Sequence, residues 1–368
     1  MTAPRSTIWK LEDHTLAKHI ILRKYLGAWL PILIRKGTSG LLVDGFAGPG
    51  EYIGGEIGSP LIMLNAYQGH RAHSIRQGRV KFFFVERDPH RSAHLRLKIQ
   101  AHLQSQPLPP TATYEIHTGT FVDAMRDLLR NLACGREHYD AMFVFIDPFG
   151  YSHAPMDIIC QLMRYPRCEV LITFMYEEID RFLKRNCQAQ SVHYDQLFGT
   201  SEWRTIALDC QDARTRQQQL HNLYRQQLLS VAGARYVRSF CMLNKRNKTD
   251  YFLFFATRHR LGMKNMKRAM WEVDPTGNFV FSDCTGLAQS FLLQNDSPPI
   301  LAQMLYERFR GKLVALDDIE EYVIADTPFF KYKSSLKLLE QEGLIEVYGP
   351  EGRKKGTYAD LAMTILFR

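Results

Sequence analysis

The stretch Ser39-Gly40-Leu41-Leu42-Val43-Asp44-Gly45-Phe46-Ala47-Gly48-Pro49-Gly50 is an apolar run that ends in a carboxylate and then breaks into a glycine-rich turn. So short an apolar run, closed by glycines, reads as a strand at 41–44 buried on both faces, as inside a parallel sheet. Gly45, Gly48 and Gly50 leave three positions of the turn without a side chain, so backbone N–H groups there can approach a polar ligand that a Cβ would exclude. Further along, Met142-Phe143-Val144-Phe145-Ile146-Asp147-Pro148-Phe149-Gly150-Tyr151 repeats the pattern, an apolar run ending in Asp-Pro-aromatic.

Around these two segments, strands at 80–85, 113–117, 141–147 and 169–174 alternate with helices near 89–103, 120–133 and 155–164. Gly58-Ser59-Pro60 opens another helix, with Ser59 suited to the N-cap and Pro60 to the first turn. A helix over 14–35 leads the chain, with Leu16, Ile20, Leu26, Leu30 and Leu33 on or near one face and basic residues elsewhere. After the fifth strand, a helical region covers 177–232. Strands at 236–243 and 250–257, joined by the polar loop 244–248, then form an antiparallel hairpin. The expected fold is α/β: a doubly wound, Rossmann-like sheet of five parallel strands finished by a hairpin, the class I methyltransferase architecture.

A chain of 368 residues has room for a second domain. Asn295-Asp296-Ser297-Pro298-Pro299 reads as a linker dividing 1–295 from 296–368. Helices near 300–310, 316–324 and 329–342, a strand at 344–348, a turn at 349–352 followed by Arg353-Lys354-Lys355, and a last strand at 357–367 predict a C-terminal winged helix. Its third helix, rich in lysine over 330–337, suits a nucleic-acid groove, and its wing suits phosphate; docking onto a protein is the alternative role. The formal net charge of +9 points the same way, toward a polyanionic partner such as nucleic acid. No apolar stretch is long enough to span a membrane, and 1–14 lacks the apolar core of a secretory signal, so the expected location is cytoplasmic. Seven cysteines without a CxxC pair predict reduced thiols, and with no HExxH among the histidines no metal is expected.

The chemistry is read from the strand ends. Asp44 can accept from the ammonium of a methionine moiety, above the turn formed by Gly45, Phe46, Ala47, Gly48 and Gly50. Glu86, closing the second strand, can take both ribose hydroxyls of an adenosine, or else pair on the surface with Arg87 or Arg91; Asp88 is placed to cap the next helix. Thr120 and Phe121 fall where an adenine ring is flanked, although an acidic residue is usual in place of Thr120. Together these residues predict S-adenosylmethionine as cofactor. In the candidate catalytic loop, Asp147 and the carbonyl of Pro148 would accept hydrogen bonds from an amino group, and Phe149 or Tyr151 would stack on its base. The loop departs from the usual Asp-Pro-Pro-Tyr. Lesser candidates are Glu177, Glu178 and Asp180 as pocket lining, His153 as a base, and Lys264, Lys267 and Arg268 as a phosphate-holding run.

The segments Tyr25-Leu26-Gly27-Ala28-Trp29, Val43 through Gly50, Gly58-Ser59-Pro60-Leu61, Phe145 through Tyr151 and Phe254-Phe255-Ala256-Thr257-Arg258-His259 resemble the three-Cys-motif partner family over nearly the whole chain. That resemblance implies a methyltransferase-like fold and a neighbouring iron–sulfur protein that carries the three-cysteine motif. The Asp-Pro-Phe-Gly run is also similar to the corresponding loop of tRNA guanine N2-methyltransferases. The leading expectation is methyl transfer from S-adenosylmethionine to an amino nitrogen of RNA or DNA. The alternatives are a non-catalytic S-adenosylmethionine-binding subunit docked on a partner, and a methyltransferase for a small molecule or peptide.

Overall fold

The computed structural model describes residues 6–149, 154–183, 191–210, 212–284, 298–359 and 362–368. Its centre is an eight-stranded sheet of β1 (Ser39–Asp44), β2 (Arg79–Glu86), β3 (Ala112–Thr118), β4 (Ala141–Ile146), β5 (Cys168–Phe174), β6 (Tyr236–Leu243), β7 (Thr249–Thr257) and β8 (Val280–Ser282). The order is β3-β2-β1-β4-β5-β7-β6-β8, with β1 to β5 parallel and β7 antiparallel to both neighbours. The hairpin therefore does not merely end the sheet: β7 inserts between β5 and β6, as in the class I methyltransferase fold. The edge strand β8, parallel to β6, is only three residues long, too short to leave a periodic pattern in the sequence.

β1 and β4 are buried along their whole length, which is why 40–43 and 141–146 are continuously apolar. One face of the sheet is covered by α1 (Asp13–Leu33), α2 (Ser59–Gln68), α3 (Pro89–Ser105) and α10 (Arg260–Trp271). The other face packs against α4 (Phe121–Ala133), α5 (Met156–Met163), α7 (Ser191–Phe198) and α9 (Ala213–Ser230). Among the described residues, the expected helical region 177–232 holds four helices, since α6 (Tyr176–Leu183) and α8 (Trp203–Asp209) also belong to it. The order in which strands are added reverses between β1 and β4, the crevice where doubly wound sheets bind ligands.

Of the apolar face expected of helix α1, Leu26 and Leu30 are buried and Ile20 and Leu33 pack on the core, but the buried stripe extends beyond that face. Leu16 is 38% exposed, while Ala17, Ile21, Leu22, Tyr25, Leu26, Trp29 and Leu30 are buried, and the polar His14, Lys18 and His19 are buried with them. Below this stripe, at the amino end of β5, the buried carboxyl of Glu169 accepts from the hydroxyls of Tyr25 and, at 2.7 Å, Thr257.

The C-terminal part contains α11 (Pro298–Phe309), β9 (Leu313–Ala315), α12 (Leu316–Asp326), α13 (Lys333–Gln341), β10 (Ile345–Tyr348) and β11 (Thr364–Phe367). Its strands form an antiparallel sheet in the order β10-β11-β9. The third helix begins at Lys333 rather than 329, and the last strand is Thr364–Phe367 rather than 357–367. The expected boundary at 295/296 lies outside the described residues. This unit shares an apolar core with the α1 and α10 face of the large sheet. Lys267 and Lys264 are committed to that junction and are not a phosphate-holding run. The buried Lys267 Nζ donates to the carbonyls of Val323, Thr327 and Phe329 at 2.9, 2.6 and 3.0 Å, and Lys264 bonds Glu320 at 2.6 Å. The Arg268 guanidinium lies over the Phe330 ring. No described helix is long and apolar enough to cross a membrane.

Candidate active site

The sheet register brings the acidic strand ends to one edge. Asp44 pairs in register with Phe84 of β2 and Phe145 of β4, so Glu86 and Asp147 each lie two residues beyond a partner of Asp44. Asp44 is fully buried. Its Oδ1 accepts from the Phe46 N–H at 3.2 Å and its Oδ2 has no partner. Burial pushes this carboxyl up to about 7, against the pull of the Ser59 hydroxyl and the Phe46 N–H, with Asp147 and Glu86 adding like charge.

The glycine turn is held in shape from both sides. Gly45 N–H donates to the Phe145 carbonyl at 2.9 Å and Ala47 N–H to the Val85 carbonyl at 2.8 Å. Gly48 adopts φ +61° and Gly50 +85°, conformations that L side chains strain to reach. Glu86, 7% exposed, accepts from Gly48 N–H through Oε2 and from Asp88 N–H through Oε1, both at 2.8 Å. Its two oxygens thus keep lone pairs for further donors, and surface pairing with Arg87 is not its role. Burial raises its pKa, opposed by these two N–H groups and by Arg91. Asp88 caps α3 as expected, accepting from His90 N–H and Arg91 N–H.

Two expected adenine neighbours are otherwise employed. Thr120 caps α4, accepting from Asp123 N–H at 3.2 Å and donating to Asp123 Oδ2 at 2.6 Å. Phe121 is buried under the turn, 2.5 Å from where a Cβ on Gly45 would lie, and stacks on Phe46 with ring centres 5.3 Å apart. Gly45 is glycine because Phe121 fills that space.

Asp147 follows β4 and holds an unexpected partner. Lys18 Nζ, from α1, reaches Asp147 Oδ1 and Oδ2 at 2.6 and 2.5 Å, and Thr173 of β5 donates to Oδ1 at 2.6 Å. The ammonium also lies 5.1 Å from the centre of the Tyr251 ring. One turn earlier on α1, His14 Nδ1 lies 3.0 Å from Asp283 Oδ2 and its carbonyl accepts from the Tyr251 hydroxyl at 3.1 Å. His19 is held near 3 by burial and by the Lys18 charge, with Asp147 opposing, so it sits neutral beside the pair. Both oxygens of Asp147 are thus engaged by a cation, a partner that the expected role as acceptor from an amino group did not include. Pro148 is buried and Phe149 is half-buried beside it; Tyr151 and His153 lie outside the described residues.

Lys18 and Thr173 were not among the residues singled out from sequence. The missed signal in α1 was spacing: 14, 18, 21, 22, 25 and 29 share one stripe, and a lysine within a buried stripe needs an anion.

No family model and no curated protein matches this sequence. Among solved structures, the chain resembles a presumed methyltransferase from Porphyromonas gingivalis W83 at 14% identity and TM-score 0.28, over 63% of this chain and 40% of that one. It also resembles a presumed methyltransferase, YhhF, from Escherichia coli at 18% identity and TM-score 0.25, over 42% and 69%. A third likeness is a cyclopropane-fatty-acyl-phospholipid synthase-like protein from Lactobacillus casei, at 11% identity and TM-score 0.27, over 66% and 91%. The chain thus spans less than half of the Porphyromonas protein. Likenesses this distant carry no argument about activity, and the methyltransferase fold is read from the strand order.

Proposed function

We propose that this chain transfers a methyl group from S-adenosylmethionine to an amino nitrogen of a nucleic acid. The observation that carries the cofactor is the orphaned Asp44 Oδ2, a buried acceptor beside a glycine-rich turn that Glu86 holds in shape. Asp44 suits the methionine ammonium, the free lone pairs of Glu86 suit the ribose hydroxyls, and Gly48 and Gly50 leave room for the chain between them. When bound, the cofactor supplies an activated methyl, so the protein's contribution is mainly positioning. In this reading Asp147, oriented by Lys18 and Thr173, and the Pro148 carbonyl accept the N–H groups of the acceptor and free its lone pair.

Calorimetric titration tests the first half. S-adenosylhomocysteine binds the wild type in the micromolar range and binds Glu86→Ala at least tenfold more weakly. Failure of both proteins to bind removes the cofactor from the proposal.

The acceptor class rests on charge. Lys333 and Lys337 on α13, with Lys354 and Lys355 in the segment after β10, are exposed and have no carboxylate partner among the described residues. The Gly356 backbone packs against the Lys337 stem, which brings the two groups together. We read this unit as a winged helix presenting a phosphate-binding face. The resemblance to the three-Cys-motif partner family supports the methyltransferase reading, and the iron–sulfur neighbour it implies is a further candidate partner. Replacing all four lysines by glutamate lowers affinity for a mixed-sequence duplex at least a hundredfold and flattens its salt dependence, as measured by fluorescence anisotropy between 50 and 200 mM salt (about the range where counterion release dominates). An unchanged salt slope in the variant places the acceptor elsewhere.

A further inference from the structure

The N-terminal segment before α1 lies over the glycine turn, and its one aromatic residue stands at the ribose end of the proposed pocket. The Trp9 ring approaches to 3.5 Å from where a Cβ on Gly48 would lie, and Gly48 is the residue whose N–H is held by Glu86. Trp9 packs edge-on against Phe149, which follows β4, at 5.1 Å between ring centres, and against Tyr52 of the first loop at 5.9 Å. The Arg91 guanidinium, at the start of α3, lies 5.0 Å from the Trp9 ring centre and 5.9 Å from that of Phe149. The segment is also tied by its backbone: Ile53 N–H donates to the Trp9 carbonyl at 2.9 Å, and Arg91 Nη2 to the Ser6 carbonyl at 3.4 Å.

Trp9, Tyr52 and Phe149 are each only partly buried. Three half-buried rings and a guanidinium gathered over a bare turn form a surface on which a flat heterocycle can stack. The two residues expected to flank that heterocycle cannot serve as its face, since Phe121 lies beneath Gly45 and the Thr120 hydroxyl is spent on its cap.

We propose that Trp9 is a ligand-binding residue whose indole, backed by Arg91 and Phe149, stacks on the purine of the bound nucleoside, with residues 6–12 as the roof of the pocket. This assignment rests on the cofactor reading above. A ring buried against its neighbours for stability alone would be insensitive to ligand, whereas a stacking face makes nucleoside affinity depend on the aromatic character of position 9.

The test titrates the full chain with S-adenosylhomocysteine and with 5′-methylthioadenosine, which keeps the nucleoside and lacks the ammonium and carboxylate. Trp9→Ala weakens both ligands at least tenfold, while Trp9→Phe stays within about threefold of wild type because a stacking face remains. Thermal melting of each variant checks that it is folded. Trp9→Ala binding both ligands within twofold of wild type overturns the assignment and leaves the cofactor reading intact. Wild type binding neither ligand overturns both.

Discussion

Asp44→Asn melts at a higher temperature than the wild type at pH 7.5 and no longer binds S-adenosylhomocysteine. Both effects have one cause. A carboxyl that burial lifts from the ordinary carboxylate range up to about 7 is costly to ionise in the folded chain. At ~1.4 kcal/mol per unit, removing that charge is worth up to about 4 kcal/mol near neutral pH. The sign follows from linkage. Between the unfolded and folded pKa values the folded protein holds a proton that the unfolded chain has released, so this group's contribution to stability falls as pH rises toward 7. The wild type therefore loses stability over that window relative to the variant, and above it the gap is constant. Melting temperatures of the two proteins from pH 4.5 to 8, compared pairwise, measure it.

The same group makes binding depend on pH in the opposite direction. An ammonium ligand selects the carboxylate form, so below pH 7 binding must first remove a proton from Asp44. The affinity of the wild type for S-adenosylhomocysteine falls about tenfold per pH unit there, and proton uptake by buffer accompanies each titration. 5′-Methylthioadenosine has no ammonium, so its affinity changes little with pH and little in Asp44→Asn. A variant that loses both ligands has lost the pocket, not the ion pair. Stability surrendered at a buried carboxylate that lacks a cationic partner is typical of a binding site, where the missing charge arrives with the ligand.

The large sheet was legible because its strands are buried on both faces. Continuous apolar runs at 41–44 and 141–146, each closed by an acidic residue, cannot be read as amphipathic helix, and their ends carried Asp44, Glu86 and Asp147 to one edge. Local grammar was equally readable: Asp88 caps α3, and Pro60 lies in the first turn of α2. What sequence did not disclose was contact between distant segments. Nothing near Asp147 announces Lys18, which lies 129 positions away, and nothing near Gly48 announces Trp9. The basic run at 264–268 resembled a phosphate site because composition cannot distinguish an ammonium facing solvent from one facing three carbonyls; Lys267 is the second kind. The resembling segments 25–29 and 254–259 contribute no group to the cleft, but their hydroxyls converge on Glu169 at the opposite end of β5.

Lys18→Met and Asp147→Ala are expected to differ in a way that separates stability from chemistry. Lys18 is 6% exposed and Asp147 22%, so the pair is shielded from solvent without being sealed from it. Removing the lysine leaves a carboxylate with only the Thr173 hydroxyl, in a region that already holds Asp44 and Glu86. Breaking a fully buried pair costs 3–5 kcal/mol, and the partial exposure of Asp147 brings the expected loss to about 2–3 kcal/mol. Asp147→Ala instead leaves an ammonium on a flexible stem that can lean on the Tyr251 ring, and costs less. If the two side chains act only on each other, Lys18→Met with Asp147→Ala is more stable than Lys18→Met alone, and a denaturation cycle over the four proteins gives the coupling. Methyl transfer distinguishes the roles. Asp147→Ala abolishes transfer while leaving S-adenosylhomocysteine affinity within about threefold of wild type, because it removes a group that meets the acceptor and not the cofactor. Lys18→Met lowers transfer, because the Asp147 side chain loses the contact that fixes it against the acceptor, and leaves S-adenosylhomocysteine affinity near wild type. Transfer by Lys18→Met at the wild-type rate would make Lys18 a structural clamp, and equal transfer by Asp147→Ala would remove the β4 loop from the mechanism.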